Sequence, residues 1–375
     1  MARSSRPFHN IQFVDSLIVA WLKKLGVENG KGHVQQPHRL FTFLFKTSSR
    51  RHIMTSSKIS SLIVEQTNPL ETGRQATYTI RQVDNMNANE FVVSFPRGAY
   101  TGMRTVQKTA VVELSSHMKR LTSSLSLIKF VPENHDVEPE YVSNQLRSFR
   151  DPVKLEEKLV SLLKTGLSSF HHEDQETKIM VIVAYSHQEQ RPHFAAQFLP
   201  LSSPVQHRVK VEIENKSREA PVVKDSQWVR DRAGLEKSKA HDVNEVLLTD
   251  DSGNLYEGMS SNFFAVKMDE EGKPIVMCAP LEHVLLGTVM KIVMRVCEKH
   301  RIPIEWGFPQ IGDARANKWK GCFLTSTSRL LLPIEGLYFN DGSAPILFPE
   351  ASEHIEFLRN QVQQEIYERA CKILE

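Results

Sequence analysis

Lys224-Asp225-Ser226-Gln227-Trp228-Val229-Arg230-Asp231-Arg232-Ala233-Gly234-Leu235-Glu236 opens the stretch that decides the fold. After a short polar break the chain continues Val243-Asn244-Glu245-Val246-Leu247-Leu248-Thr249 and turns at Asp250-Asp251-Ser252-Gly253-Asn254. It then runs on as Leu255-Tyr256-Glu257-Gly258-Met259-Ser260-Ser261-Asn262-Phe263-Phe264-Ala265-Val266. The order is an apolar run of strand type, a polar turn, a short run ending in an acid, and a second apolar run. That is a β-meander in outline. Glu257 stands at a strand end, and the glycine and small hydroxyl residues after it let another group approach the backbone closely. Upstream, Ala220-Pro221-Val222-Val223 delivers Lys224. An apolar run before a lysine predicts an amine in partly dry surroundings, where desolvation lowers its pKa and keeps it usable as nucleophile and base. Lys210, Lys216, Lys237 and Lys239 lie in charged contexts that read as surface.

This ordered set resembles the branched-chain aminotransferase, D-amino-acid aminotransferase and aminodeoxychorismate lyase group, the class IV aminotransferases of fold type IV. In that group a lysine is followed by a helix carrying Leu and Glu, and then by a strand–turn–strand unit ending in Glu-Gly, two small residues, Asn and an aromatic pair. The resemblance implies an α/β (α+β) fold of two domains, a small α/β domain and a larger β-barrel-like domain with helices. It implies pyridoxal 5'-phosphate as cofactor, with Lys224 and Glu257 as the catalytic pair. Lys224 would form the Schiff base and move a proton between the substrate α-carbon and the cofactor carbon. Glu257 would face the pyridine nitrogen and keep it protonated. Ser261 and Asn262 follow as cofactor-binding positions.

Three further segments extend the resemblance toward the cofactor phosphate. His117-Met118-Lys119-Arg120-Leu121-Thr122-Ser123-Ser124 is similar to the group's His-x-x-Arg-Leu-x-x-Ser helix, which assigns the phosphate to Arg120 through its planar guanidinium. Taken alone, Arg120 reads as a solvated helix-face charge and His117 as structural. Leu285-Leu286-Gly287-Thr288-Val289-Met290 resembles the group's Pro-Gly-Ile-Thr-Arg helix start and offers the amides of Thr288 and Val289. Gly321-Cys322-Phe323-Leu324-Thr325-Ser326-Thr327-Ser328 resembles a strand ending in Ser/Thr-Gly-Thr-Ala-Ala, with Ser326 and Thr327 as donors.

The chain of 375 residues has room for two domains. A net charge of +3 is too mild to call for nucleic acid. Cys278, Cys297, Cys322 and Cys371 form no Cys-x-x-Cys pair, so neither a zinc site nor a disulfide framework is implied. No apolar run approaches the ~18 residues a membrane span requires. Residues 1–61 are basic and rich in Ser, Arg and His, with Asp15 and Glu28 as their acids. That composition fits a plastid or mitochondrial transit peptide, or alternatively a disordered extension or a leader ahead of a later start at Met54, with a cytoplasmic protein as the other outcome. The domains are expected at 62–203 and 204–375, joined by a linker at Leu199-Pro200-Leu201-Ser202-Ser203-Pro204. Phe91–Phe95 and Thr109–Leu114 read as strands. Ser115 or Ser116 reads as the cap of the Arg120 helix, and 352–374 as one amphipathic helix.

The pattern departs from the group in several places. Thr101 replaces a Glu, Gln227 an Asn and Ser326 a Gly. No arginine lies in the strand Ile179 to Tyr185, where some members read a substrate carboxylate. The leading expectation is transamination between an amino acid and a 2-oxo acid in a homodimer. A lyase of the aminodeoxychorismate type and a non-catalytic protein that binds the cofactor are the alternatives.

Overall fold

The computed structural model describes residues 60–70, 76–170, 175–201 and 207–375, within one compact unit, Ser56–Glu375. The basic extension therefore lies outside the described residues except Ser60 and Ser61, which open the first strand. In chain order come β1 (Ser60–Gln66), β2 (Tyr78–Asp84), α1 (Ala88–Val93), β3 (Gly98–Val106), β4 (Ala110–Val112), α2 (Leu114–Leu127), α3 (Glu140–Arg150), α4 (Pro152–Ser169), β5 (Glu176–Ser186) and β6 (Arg191–Leu201). There follow β7 (Val209–Asn215), α5 (Gln227–Asp231), α6 (Ala233–Ser238), β8 (Glu245–Thr249), β9 (Leu255–Gly258), β10 (Asn262–Met268) and β11 (Pro274–Cys278). The chain ends with α7 (Thr288–Lys299), β12 (Ile304–Trp306), α8 (Ile311–Arg315), β13 (Trp319–Ser326), β14 (Leu330–Phe339), β15 (Ile346–Leu347), α9 (Glu353–Glu368) and β16 (Ala370–Lys372). No helix among the described residues is long and apolar enough to cross a membrane.

The first sheet has the order β16-β4-β3-β5-β6-β1-β2. Its central strands are apolar on both faces because both faces are covered. Val181, Val183, Ala196 and Phe198 pack with Leu121, Leu146 and Leu159 of the helical layer α2–α4. Tyr100, Ile182, Ala184 and Ala195 face the other way, toward Phe91 and Val92 of α1.

The second sheet curls until it meets itself. β10 pairs with β13, β13 with β14, β14 with β7, β7 with β8 and β8 with β9. β9 then returns to β10 through the register pair Glu257–Asn262. This is the barrel-like unit expected above. Alternation along β10 shows why that stretch has so few polar residues. Phe263 and Ala265 point into the cluster of Val211, Leu247, Leu255 and Leu332, while Phe264 and Val266 meet Met290 and Val293 of α7 and Leu358 and Val362 of α9.

Several local expectations are corrected. Phe91–Phe95 is not a strand; Ala88–Val93 is helical, because Asn87 accepts from the amides of Asn89 and Glu90 while Glu90 reaches back to the Asn87 amide. That Asn-x-x-Glu capping box was present in the sequence and outweighs the β propensity of Phe and Val. The Arg120 helix starts at Leu114 and is capped by Glu113 in the left-handed region (φ 54°), not by Ser115 or Ser116. Ser116 instead donates to the Glu113 carboxylate. The strand expected at Thr109–Leu114 is confined to Ala110–Val112. At the proposed linker, β6 continues through Leu201, and 202–206 lie outside the described residues. The C-terminal helix stops at Glu368, and Ala370, read as a helical core position, instead begins β16 and pairs with Val112 of β4.

Gly166 tests how tightly α4 lies on the first sheet. A Cβ there would stand 1.9 Å from Cζ of Phe198. In an open helix, Gly→Ala gains about 1 kcal/mol of propensity. Overpacking at a buried ring costs about 1–3 kcal/mol. Gly166→Ala is therefore expected to lower the melting temperature by a few degrees. A higher one would mean that the Phe198 ring can swing aside.

Candidate active site

The closing pair of the barrel also builds the site. Glu257 ends β9 and Asn262 begins β10, with Gly258–Ser261 as a tight turn held by the Gly258 amide donating to the Ser261 carbonyl at 2.8 Å. Gly258 has to be glycine, because a Cβ would lie 2.3 Å from Ser261 Oγ and 2.9 Å from Glu245 Cγ. Both residues then grip the backbone of Leu285, one on each side of its Cα. The Leu285 amide donates to Glu257 Oε2 at 2.9 Å, and Asn262 Nδ2 donates to the Leu285 carbonyl at 2.7 Å. Gly287 fits beneath this clamp only without a side chain, since a Cβ would sit 2.1 Å from Asn262 Oδ1. The N-terminus of α7, beginning at Thr288, is thereby tied to Glu257. Its first-turn amides have no acceptor within the helix.

Lys224 arrives from a loop zipped to the start of β3. The Tyr100 amide donates to the Lys224 carbonyl at 3.1 Å, the Ser226 amide to the Gly98 carbonyl at 2.8 Å, and the Lys224 amide to Ser124 Oγ at 3.0 Å. The amine lies over the Tyr100 ring, 4.8 Å from its centroid. Burial lowers the Lys224 pKa to about 8; Tyr100 opposes that shift, while Arg120, Arg218 and Arg232 add to it. The preceding run supplies only part of the dryness, since Val223 is buried but Val222 is 47% exposed. The rest comes from the strand and barrel walls on either side. Burial alone would raise the Tyr100 hydroxyl, yet Lys224, Arg232 and Arg218 bring it down to about 8.

Arg120 sits in a buried polar knot. Its Nη2 donates to Thr101 Oγ1 at 2.6 Å and lies 3.2 Å from His117 Nδ1, which is itself 2.8 Å from Thr101 Oγ1. Burial, and then Arg120, Lys291 and Lys224, push His117 well below its usual value, so it is neutral. Thr101 thus completes a bridge from strand to helix. Burial lowers Arg120 to about 10, still far above neutrality.

Lys224, Glu257, Arg120, Ser261, Asn262, Thr288, Val289, Ser326 and Thr327 all line one cavity of about 340 Å³. Thr288 Oγ1 and Thr327 Oγ1 are 3.2 Å apart in its lining. Ser261 and Asn262 spend their side chains inside the protein, on Glu245 and on the Leu285 carbonyl. Lys239, read as surface, also lines the cavity, with its amine on the Val243 carbonyl at 3.1 Å.

Sequence reasoning missed Tyr100, Lys178, Arg218, Arg232 and Arg329. Arg218 Nη1 meets Glu257 Oε1 at 2.9 Å, with the two side chains 5% and 4% exposed. Its Nη2 donates to the Val223 carbonyl at 2.6 Å. Burial raises the Glu257 carboxyl above its usual value, and Arg218, the Leu285 amide and Lys224 work against that rise. Each Glu257 oxygen has one donor and a second lone pair still free. Nothing local in the sequence distinguishes Arg218 from a surface arginine, because only the fold removes it from water.

The cavity fits pyridoxal 5'-phosphate. Arg120 Nε and Thr325 Oγ1 line it and are buried without hydrogen-bond partners. The Arg120 guanidinium, the first turn of α7 and the hydroxyl-bearing Thr288 and Thr327 line the same space, groups whose chemistry suits an anion. A buried carboxylate and a buried amine line the same space.

Residues 98–337 match the family model of amino-transferase class IV. The fold is similar to the branched-chain aminotransferase of Thermoproteus uzoniensis solved with norvaline, at 13% identity, TM-score 0.59, covering 85% of this chain and 100% of that one. It is also similar to a fold IV-transaminase from Curtobacterium pusillum, at 16% identity, TM-score 0.58, 82% and 99% covered. A hypothetical aminotransferase from Mycobacterium tuberculosis in its PLP-bound form matches at 14% identity, TM-score 0.55, 82% and 99% covered. Comparison of the sequence with curated proteins gave no match.

Arg218→Met leaves Glu257 buried without its cation, which costs about 3–5 kcal/mol. Loss of the cation raises the folded-state pKa of Glu257 further above its unfolded value. The variant is then least penalised at low pH, where the carboxyl is neutral, and loses stability as pH rises. Melts at about pH 5 and about pH 8 should show the larger deficit at the higher pH. An equal deficit at both would assign the effect to lost packing on Trp228, whose ring lies 5.3 Å from the guanidinium carbon.

Proposed function

The chain belongs to the class IV aminotransferases, enzymes that work with pyridoxal 5'-phosphate, and from that premise we propose that Lys224 and Glu257 bracket the cofactor ring in transfer of an amino group between an amino acid and a 2-oxo acid. The observation that carries this reading is the shared cavity: a lysine from one loop and a glutamate from a strand end face the same buried space. When bound, the cofactor supplies an aldehyde carbon open to amines and a protonated ring that draws electrons from the substrate α-carbon.

The chain's own residues divide the remaining work. Arg120, the amides of Thr288 and Val289 and the hydroxyls of Thr288 and Thr327 hold the phosphate, with Ser326 in the adjoining turn. Glu257, held on both oxygens, accepts from the ring nitrogen through a free lone pair and keeps its proton in place. Ser261 and Asn262 act one step back. They fix Glu245 and the Leu285 peptide, and so fix where the carboxylate and the helix end stand. Lys224 is the nucleophile that tethers the cofactor and the base that carries a proton to and from the substrate α-carbon. An amine near pKa 8 can hold or release that proton close to neutrality.

Borohydride reduction of the reconstituted protein followed by peptide mapping should place the cofactor on Lys224. Lys224→Ala should carry no fixed cofactor and lose about a hundred- to ten-thousandfold in transamination rate. Attachment at another lysine would overturn the assignment. Pyruvate release from a single substrate, with no 2-oxo acid acceptor, would convert it to the lyase. Because the neutral amine attacks the aldehyde, the reconstitution rate should rise with pH and level off above about 8. A rate that keeps rising to about pH 10, the range of an ordinary lysine, would contradict the buried amine.

A further inference from the structure

Resting on the reading that Ser326 and Thr327 help to hold the cofactor phosphate, we propose that Glu245 is a positioning residue for that part of the site: through Arg329 it fixes the turn that presents those two residues. Glu245 opens β8, is 2% exposed and is not part of the cavity lining. Its charge has no use in the transfer of an amino group. A carboxylate so deeply buried is kept only where donors engage it.

Its donors come from loops that do line the cavity. Glu245 Oε2 takes Arg329 Nη2 at 2.6 Å, Ser260 Oγ at 2.7 Å and Ser261 Oγ at 2.9 Å, while Oε1 takes the Val246 amide at 3.2 Å. Burial alone would raise the carboxyl, but Arg329 and Ser260 outweigh it and hold it below its usual value, so it is charged at neutral pH. Ser260 and Ser261 belong to the turn that follows Glu257. Arg329 belongs to the turn between β13 and β14, which starts from Ser326. One oxygen thus joins the turn beside Glu257 to the turn that carries Thr327.

The second turn needs such an anchor. It closes through the pair Ser326–Leu330, and Leu330 has a φ of 58°, a region that a residue with a Cβ enters only at a cost. Its backbone therefore does not hold this shape by preference. Arg329 supplies the ties instead. Its amide and its Nε lie 3.3 and 3.4 Å from Ser326 Oγ. Its Nη1 donates to the Asn244 carbonyl at 3.2 Å, and its Nη2 reaches Ser260 Oγ at 3.1 Å as well as Glu245. Arg104 of β3 comes to 3.5 Å from the Ser328 carbonyl, a weaker tie. Without the charge of Glu245 the Arg329 fork loses its anion, and Thr327, whose Oγ1 stands 3.2 Å from Thr288 Oγ1, loses its fixed position. Glutamine at 245 would keep the volume but not the match. In either orientation its amide N–H groups would face a donor, the Val246 N–H on one side or Arg329 on the other.

The test uses the full-length protein freed of cofactor, with pyridoxamine 5'-phosphate and pyridoxamine as probes. The two differ by the phosphate alone, and neither needs a bond to Lys224. The wild type should bind the phosphorylated probe at least about a hundredfold more tightly, since several charge-assisted contacts go to the phosphate. Glu245→Gln should cut that ratio by about tenfold or more, the worth of one charge-assisted hydrogen bond, and should leave the affinity for pyridoxamine nearly unchanged. The double variant Glu245→Gln/Arg329→Met should lose no more of the ratio than the worse single variant, because the pair acts as one unit. If glutamine prevents folding, Glu245→Asp gives the same comparison, since it keeps the charge but draws it back from Arg329. A loss shared equally by both probes would make Glu245 a residue of fold stability alone and overturn the positioning role. Losses that add in the double variant would overturn the route through Arg329. A wild-type preference that the Glu245 variant leaves intact sinks the positioning role and spares the phosphate reading. A wild type that binds both probes equally sinks the phosphate reading, and the positioning role with it.

Discussion

The backbone of one residue, Leu285, holds the walls of the cavity in relation to one another. Its N–H is taken by Glu257 and its carbonyl by Asn262, the two residues through which β9 pairs with β10. Barrel closure, the position of the buried carboxylate and the start of α7 are therefore a single constraint. If the register of β10 slipped by one residue, every side chain on it would change faces. Phe263 would leave the barrel interior, and the clamp would be lost with it. The two glycines at the clamp, Gly258 and Gly287, are dictated by the same crowding.

Charge is the second organising feature. Buried ions are costly unless paired, and the described structure pairs them selectively. Glu257 has Arg218 and Glu245 has Arg329, each within hydrogen-bond distance. The remaining cations of the cavity face space that a phosphate and carboxylates are suited to fill. Ligands that bind only the folded state stabilise it by mass action. Burial lowers the pKa of Lys224, and the neighbouring cations Arg120, Arg218 and Arg232 add to that shift.

Misread segments share a cause. Phe91-Val92-Val93 has strand composition, but a capping box one turn earlier and a buried contact with the first sheet make it a helix. The C-terminal run keeps helical spacing through Ala370, yet the edge of β4 offers the last residues a ladder that a longer helix would forgo. At the C-terminus a neighbour distant in sequence decided between two local options of similar energy, and at residues 88–93 such a neighbour reinforces a local cap. Helix and strand propensities differ by well under the value of such tertiary contacts.

From the sequence, through its resemblance to the class IV group, came the motif order around Lys224 and Glu257, the Arg120 helix, the Gly287–Val289 helix start and the Ser326–Thr327 strand end. Each is a short run of residue types in fixed order, so the resemblance can be recognised without the rest of the chain. Which arginines and lysines accompany them was not readable. Arg218, Lys178, Arg232 and Arg329 look like ordinary surface charges in one dimension, and only tertiary packing withdraws them from water and turns them toward one cavity. A charge becomes functional through its desolvation and its neighbours, and both are properties of the folded volume.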